Sequence, residues 1–152
     1  MLAPYLKEAG LFPKAENYTN WENTGLDGHI GGHYLSALSY MYAATGNQEI
    51  KVRLDYMISE LKRCQDAAGD GYLCGVPNGR KMWKEIEEGN ICASGFGLND
   101  RWVPLYNIHK MYAGLRDATL QTGSKEAKEM LVKLTDWMIR LISKLSDEQI
   151  QD

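Results

Sequence analysis

The residues best suited to chemistry are the three histidines, His29, His33 and His109. His29 and His33 are four positions apart, which on a helix puts two imidazoles on one face, and His109 could complete a set of three metal ligands. Two features oppose that reading. Gly28, Gly31 and Gly32 work against a regular helix at His29, and no Glu joins the pair in an HExxH pattern. No metal site is assigned. His33 and His109 instead each fall in the first turn or so of an apolar helical segment. Helix N-termini carry partial positive charge and can face a polar ligand. Spacing leaves two readings for the pair, buried packing histidines or histidines that line a pocket.

Other kinds of chemistry have weaker signatures. There is no GxSxG elbow and no cysteine in an active-site context. Paired carboxylates for glycosidic cleavage cannot be chosen by spacing, because many Asp and Glu are available. Trp21, Tyr72, Trp102 and Tyr106 are rings that could stack on sugars or pack in loops and core. Cys64, Cys74 and Cys92 form an odd count with no CxxC pair, which argues against a disulfide framework and a self-contained zinc site. They read as free thiols.

Composition narrows the class. A chain of 152 residues, 44% hydrophobic and 24% charged, has the make-up of one globular domain. The net charge of −3 and the lack of a basic cluster exclude a nucleic-acid footprint. No apolar run reaches the roughly 20 residues that span a bilayer. Met1 to Leu6 has no basic segment and no apolar core of a secretion signal, and the compartment stays open.

The elements that would hold the histidines are helices, with little or no strand. Periodicity predicts them near 30–45, 48–65, 106–121 and 125–145. Two are amphipathic. Leu54, Met57, Ile58, Leu61 and Cys64 form one stripe; Ala127, Met130, Leu131, Leu134, Met138, Leu141, Ile142 and Leu145 form another. The other two are apolar or small on most faces, which predicts burial. Thr45-Gly46-Asn47 and Thr122-Gly123-Ser124 join an inner to an outer helix in the same way, Gly ending one and Asn or Ser capping the next. The result is two α-hairpins of one design, either a small four-helix packing or part of an α/α toroid. Two long loops, 12–32 and 66–105, carry the glycines and aromatics. The second is too long for an idle connection.

Two blocks match something specific. Leu26-Asp27-Gly28-His29-Ile30-Gly31-Gly32-His33-Tyr34-Leu35-Ser36-Ala37-Leu38 and Trp102-Val103-Pro104-Leu105-Tyr106-Asn107-Ile108-His109-Lys110-Met111-Tyr112-Ala113-Gly114-Leu115 resemble the opening of the catalytic domain of glycoside hydrolase family 127 and its relatives, the β-L-arabinofuranosidases. Leu2-Ala3-Pro4-Tyr5 and Asp70-Gly71-Tyr72-Leu73 fit the same pattern, and the likeness runs over nearly the whole chain.

The resemblance implies an all-α fold in which the two hairpins form part of an (α/α)6 barrel. It implies a retaining glycosidase acting on β-L-arabinofuranosides or related sugars. The family's proposed nucleophile is a cysteine thiolate at a zinc site of cysteines and a glutamate, with a second glutamate as acid/base. Those residues fall later in the family's sequence than this chain reaches, and Cys64, Cys74 and Cys92 do not match them. No catalytic residue and no cofactor is therefore expected in this chain, and zinc is expected in the full-length enzyme. Positions matching His33 and His109 line the sugar pocket, flanked by Asp27, Trp102 and Tyr106. The expected partners are a carbohydrate and the remainder of the barrel. A reading from another class is a non-catalytic helical carbohydrate-binding or scaffold module with the same wall.

Overall fold

The computed structural model describes residues 1–151. Seven helices run along them: α1 (Ala3–Glu8), α2 (His29–Thr45), α3 (Gln48–Ala68), α4 (Gly79–Glu87), α5 (Pro104–Thr122), α6 (Lys125–Ile142) and α7 (Asp147–Gln151). Strand is confined to a meander of three two-residue segments, β1 (Ala93–Ser94), β2 (Gly97–Leu98) and β3 (Arg101–Trp102), antiparallel and in that order. The long segment 66–105 is thus not one irregular loop. It holds the last turn of α3, the whole of α4 and the meander. Helix α4 buries Met82, Trp83 and Ile86 while its charged residues face out, a short amphipathic pattern hidden among the glycines.

The hairpin joints show why each helix stops where it does. Gly46 takes φ 64° and its N–H bonds to Tyr42 O; the Asn47 side chain then accepts from the Glu49 and Ile50 N–H groups. Gly123 takes φ 68° with its N–H on Thr119 O, and Ser124 accepts from the Ala127 N–H. A left-handed residue ends the first helix and a side-chain oxygen starts the next.

Helices α3 and α6 bury their apolar stripes, Leu54, Met57, Ile58, Leu61 and Cys64 on one, Ala127, Met130, Leu134 and Leu141 on the other. Between them lie Leu35 and Leu38 of α2 and Ile108, Met111, Leu115 and Ala118 of α5. Gln65, itself buried, stitches α3 to α6 by donating to Met130 O at 3.0 Å and to Gly71 O at 2.8 Å.

Helices α2 and α5 run side by side in the same direction. A Cβ on Gly32 would lie 2.2 Å from Lys110 O, and one on Gly114 would lie 2.7 Å from Gly32 O. Higher up, the Tyr40 hydroxyl meets the Asp117 carboxylate at 3.3 Å. The two inner helices differ from the expectation of burial on most faces. Tyr40, Met41, Leu105 and Leu120 are exposed. The physical reason is that a helix is enclosed only by neighbours on all sides, and α2 and α5 have packed partners on one side alone among the described residues.

The close crossing makes a sharp test. Gly32→Ala is expected to lower stability by about 3 kcal/mol or to prevent folding, because the clash is with backbone. Gly46→Ala, which meets open space, is expected to cost about 1–2 kcal/mol for its left-handed φ alone. Urea unfolding of both variants measures the difference.

Candidate functional site

Gly32 in the first turn of α2 meets Lys110 in the second turn of α5, so their neighbours His33 and His109 flank the same point. Both are exposed. His33 Nε2 lies 3.3 Å from the Tyr106 hydroxyl. The Tyr106 ring carries Lys110 Nζ 4.6 Å from its centroid. Tyr106 and Trp102 are each about two-fifths exposed, enough ring surface for a ligand to lie against. Trp102 stands edge-on to Trp21 at 6.5 Å, and Trp21 in turn lies 6.1 Å from the His29 ring. His29 closes the cluster, 6.2 Å from His33 and 6.3 Å from Tyr106. An open pocket of about 560 Å³ lies beside it, lined among others by Asn20, Trp21, Glu22, Thr24 and His29. A separate pocket of about 490 Å³ between Asp70, Arg80, Trp83, Trp137 and Arg140 contains none of the histidines.

Two buried polar residues hold the pocket loop on the helix ends. Glu22 is 1% exposed, and its carboxylate accepts from the N–H groups of Gly28 and Ile30, both at 3.0 Å. Helix α2 begins with no side-chain cap of its own at Gly28, so Glu22 acts as its anion from six residues upstream. Free N–H groups and the helix dipole at that end favour a negative charge. Asn107, fully buried on α5, donates to Asp27 O at 2.6 Å and Leu26 O at 3.2 Å and accepts from the Cys74 thiol at 3.4 Å. The Tyr5 hydroxyl adds a further bond to Gly28 O. Gly28 and Gly75 pass so closely that a Cβ on either would lie within 2.9 Å of the other's Cα.

Asp27 stands apart from the other four candidates. It is 5% exposed, with one carboxylate oxygen on Asn17 Nδ2 at 2.5 Å and the other on the Gly25 N–H at 3.0 Å. Its side chain organises the loop, whereas His33, His109, Trp102 and Tyr106 are exposed; none of these four lines the pocket at His29, and Tyr106 lines a separate, largely apolar pocket of about 450 Å³ with Trp83, Phe96 and Leu105. Sequence reasoning assigned no role to Glu22 or Asn107, and assigned none to His29 beyond the discarded metal set. The available signal for Glu22 was its place beside Trp21 ahead of a helix start that lacked an Asn, Asp, Ser or Thr cap.

The electrostatics are mild. Partial burial of the His33 ring lowers its pKa below the usual value, and the charge of Lys110 followed by His29 and His109 adds to this. His33 is therefore held toward its neutral form. Burial pushes the thiols of Cys64 and Cys74 up to about 12, which leaves them protonated and unreactive. Cys92 is exposed. Among the described residues no group of three or more His, Cys, Asp or Glu is placed to hold a metal ion. The exposed cluster thus offers the Tyr106 hydroxyl and a His33 imidazole held toward its neutral form, beside the rings of Trp21 and Trp102 and with the Lys110 ammonium against the Tyr106 ring.

A family model described as β-L-arabinofuranosidase, GH127 catalytic domain, matches residues 1–152. The chain belongs to this family. The all-α fold is accordingly part of the GH127 helical barrel domain, and the chain is part of a glycoside hydrolase whose substrate is a carbohydrate. No curated protein matches the chain. No helix of the described residues is long and apolar enough to cross a membrane.

Two measurements check the GH127 site. His33 should titrate by NMR below the usual histidine value of about 6.5, and Lys110→Met should move its midpoint up. The unfolded chain takes up this proton first, so stability is retained above about 6.5 and lost as pH falls through the lower folded midpoint. Thiol alkylation of the native chain at neutral pH should modify Cys92 alone, with Cys64 and Cys74 reacting only after denaturation.

Proposed function

We propose that these residues form the substrate-side wall of a retaining glycosidase that acts on β-L-arabinofuranosides or related plant-type sugars. The observation that carries this reading is the exposed His33–Tyr106 pair on the rim with Trp102 and Trp21. Two polar tips beside ring faces can bond sugar hydroxyls while the aromatic surfaces cover the apolar C–H side. His109, in the second turn of α5 beside the Gly32–Lys110 contact, takes the same role. Asp27 supports the reading from below by fixing the loop, without reaching the sugar.

The chemical step belongs to other residues of the domain. A thiolate nucleophile needs a cysteine that ionises, and Cys64 and Cys74 sit near 12. The zinc expected for the full-length family enzyme does not fit this chain's own donors. Cys74 is bonded to Asn107, Cys64 lies in the apolar core, and His29 Nδ1 is held by Glu22 and Leu26. No step through a metal is drawn from these residues. On this reading the isolated chain binds sugar without cleaving it.

The test has two arms. The 152-residue chain is expected to give no turnover of an aryl β-L-arabinofuranoside. In the enzyme that carries these segments, His33→Ala and His109→Ala are each expected to cost about 0.5–1.5 kcal/mol of transition-state binding, roughly a 2- to 13-fold drop in kcat/KM, with little change in melting temperature. Turnover by the chain that vanishes on replacing one of its cysteines would overturn the division of roles. Unchanged kinetics with a large loss of stability would return both histidines to packing. Sugar binding with no activity in any longer form would favour the non-catalytic module.

A further inference from the structure

We infer that His29 is a third sugar-contacting imidazole of this wall, locked by Glu22 with its proton on Nδ1 so that a bare Nε2 accepts from a sugar hydroxyl. The inference rests on the sugar-wall reading of the pocket and adds a residue and a polarity to it. His29 Nδ1 lies 3.0 Å from the Leu26 carbonyl oxygen and 2.8 Å from Glu22 Oε1. Both neighbours are acceptors only. A neutral imidazole between them puts its one proton on Nδ1, since a lone pair there would face two oxygens. Glu22 cannot turn away, because its two oxygens are also held by the Gly28 and Ile30 N–H groups.

The opposite nitrogen is then an acceptor without a protein donor. Nε2 makes no hydrogen bond among the described residues and is not sealed off from solvent, the side chain being 9% exposed. The ring lines the open pocket beside Trp21 and Thr24, and its centroid lies about equally far from Trp21, His33 and Tyr106. A group placed among these rings finds an acceptor at His29 and a hydroxyl at Tyr106. A sugar hydroxyl fits, because it donates to Nε2 through its hydrogen and keeps its oxygen for a donor such as Tyr106. A carboxylate or fully ionised anion does not fit, because it has no proton to give and would set a lone pair against a lone pair. The pair Glu22–His29 therefore selects for hydroxyls, with Glu22 a positioning residue that acts through the imidazole.

The experiment is ¹⁵N NMR of the histidine-labelled chain at mildly alkaline pH, with the signals assigned through His33→Gln and His109→Gln. His29 is expected to show a protonated Nδ1 and a pyridine-type Nε2. The Nε2 signal is expected to move on adding L-arabinose and to stay in place with acetate, which has no proton to donate at that pH. Glu22→Gln is expected to release the lock and give mixed tautomers. His29→Asn keeps a donor where Nδ1 was and deletes Nε2; it is expected to fold as the parent does and to bind L-arabinose roughly 2- to 13-fold more weakly. A proton found on Nε2 overturns the proposal, and so does a response to acetate equal to that with sugar. An unchanged His29 signature in Glu22→Gln removes Glu22 from it. Movement of His33 and His109 without His29 overturns the proposal and leaves the sugar wall standing. No movement of any of the three overturns the sugar wall itself.

Discussion

The arrangement depends on one contact, the backbone-to-backbone approach of α2 and α5 at Gly32, Lys110 and Gly114. Side chains normally keep helix axes about 8–10 Å apart. Here Gly32 and Gly114 remove the Cβ atoms that would enforce that distance. Dispersion and burial over Leu35, Met111 and Leu115 are gained in return. The functional consequence is positional. With Gly32 against Lys110, the residues beside them, His33 and His109, are brought to one place, and Tyr106, one turn before Lys110, comes within reach of His33.

That contact sets the helices but not the loop that walls the pocket. The loop is held by polar groups taken out of water: Glu22 on the first N–H groups of α2, Asn107 on the carbonyls of Leu26 and Asp27, Tyr5 on Gly28. Buried polar groups are costly unless each finds its partner, and leaving one unpaired costs about 1–3 kcal/mol. A network of this kind therefore tolerates few alternative geometries. The same bonds that hold the loop also hold the His29 ring, so the folding of the segment and the polarity it offers a ligand have one cause.

The division between inner and outer helices has a chemical counterpart. Helices α3 and α6 carry exposed ion pairs such as Lys51–Asp55 and Lys62–Asp66 on their wet faces, pairs worth little to stability. Helices α2 and α5 carry the exposed His33, Tyr106 and His109 and leave apolar side chains such as Met41 and Leu120 uncovered by any described element.

The sequence by itself determined the parts governed by local rules. The stripes at Leu54–Cys64 and Ala127–Leu141 follow from the 3.6-residue period, and the joints at Gly46 and Gly123 follow from the left-handed residue that ends a helix. The two long blocks around His33 and His109 carried the family, because many residues in order are specific where three histidines are not. Helix α4 escaped, since one short amphipathic turn beside several glycines has no period long enough to register. Only the tertiary structure decided which polar residues stay exposed and which are buried. Asp27 and His33 are six positions apart and equally polar on paper, yet one is spent on Asn17 and Gly25 and the other is open. Glu22 reads as an ordinary loop carboxylate until α2 points its N–H groups at it. Those assignments depend on contacts between segments distant in the chain, such as Asn107 with Asp27, and pairwise geometry of that kind is absent from periodicity and composition.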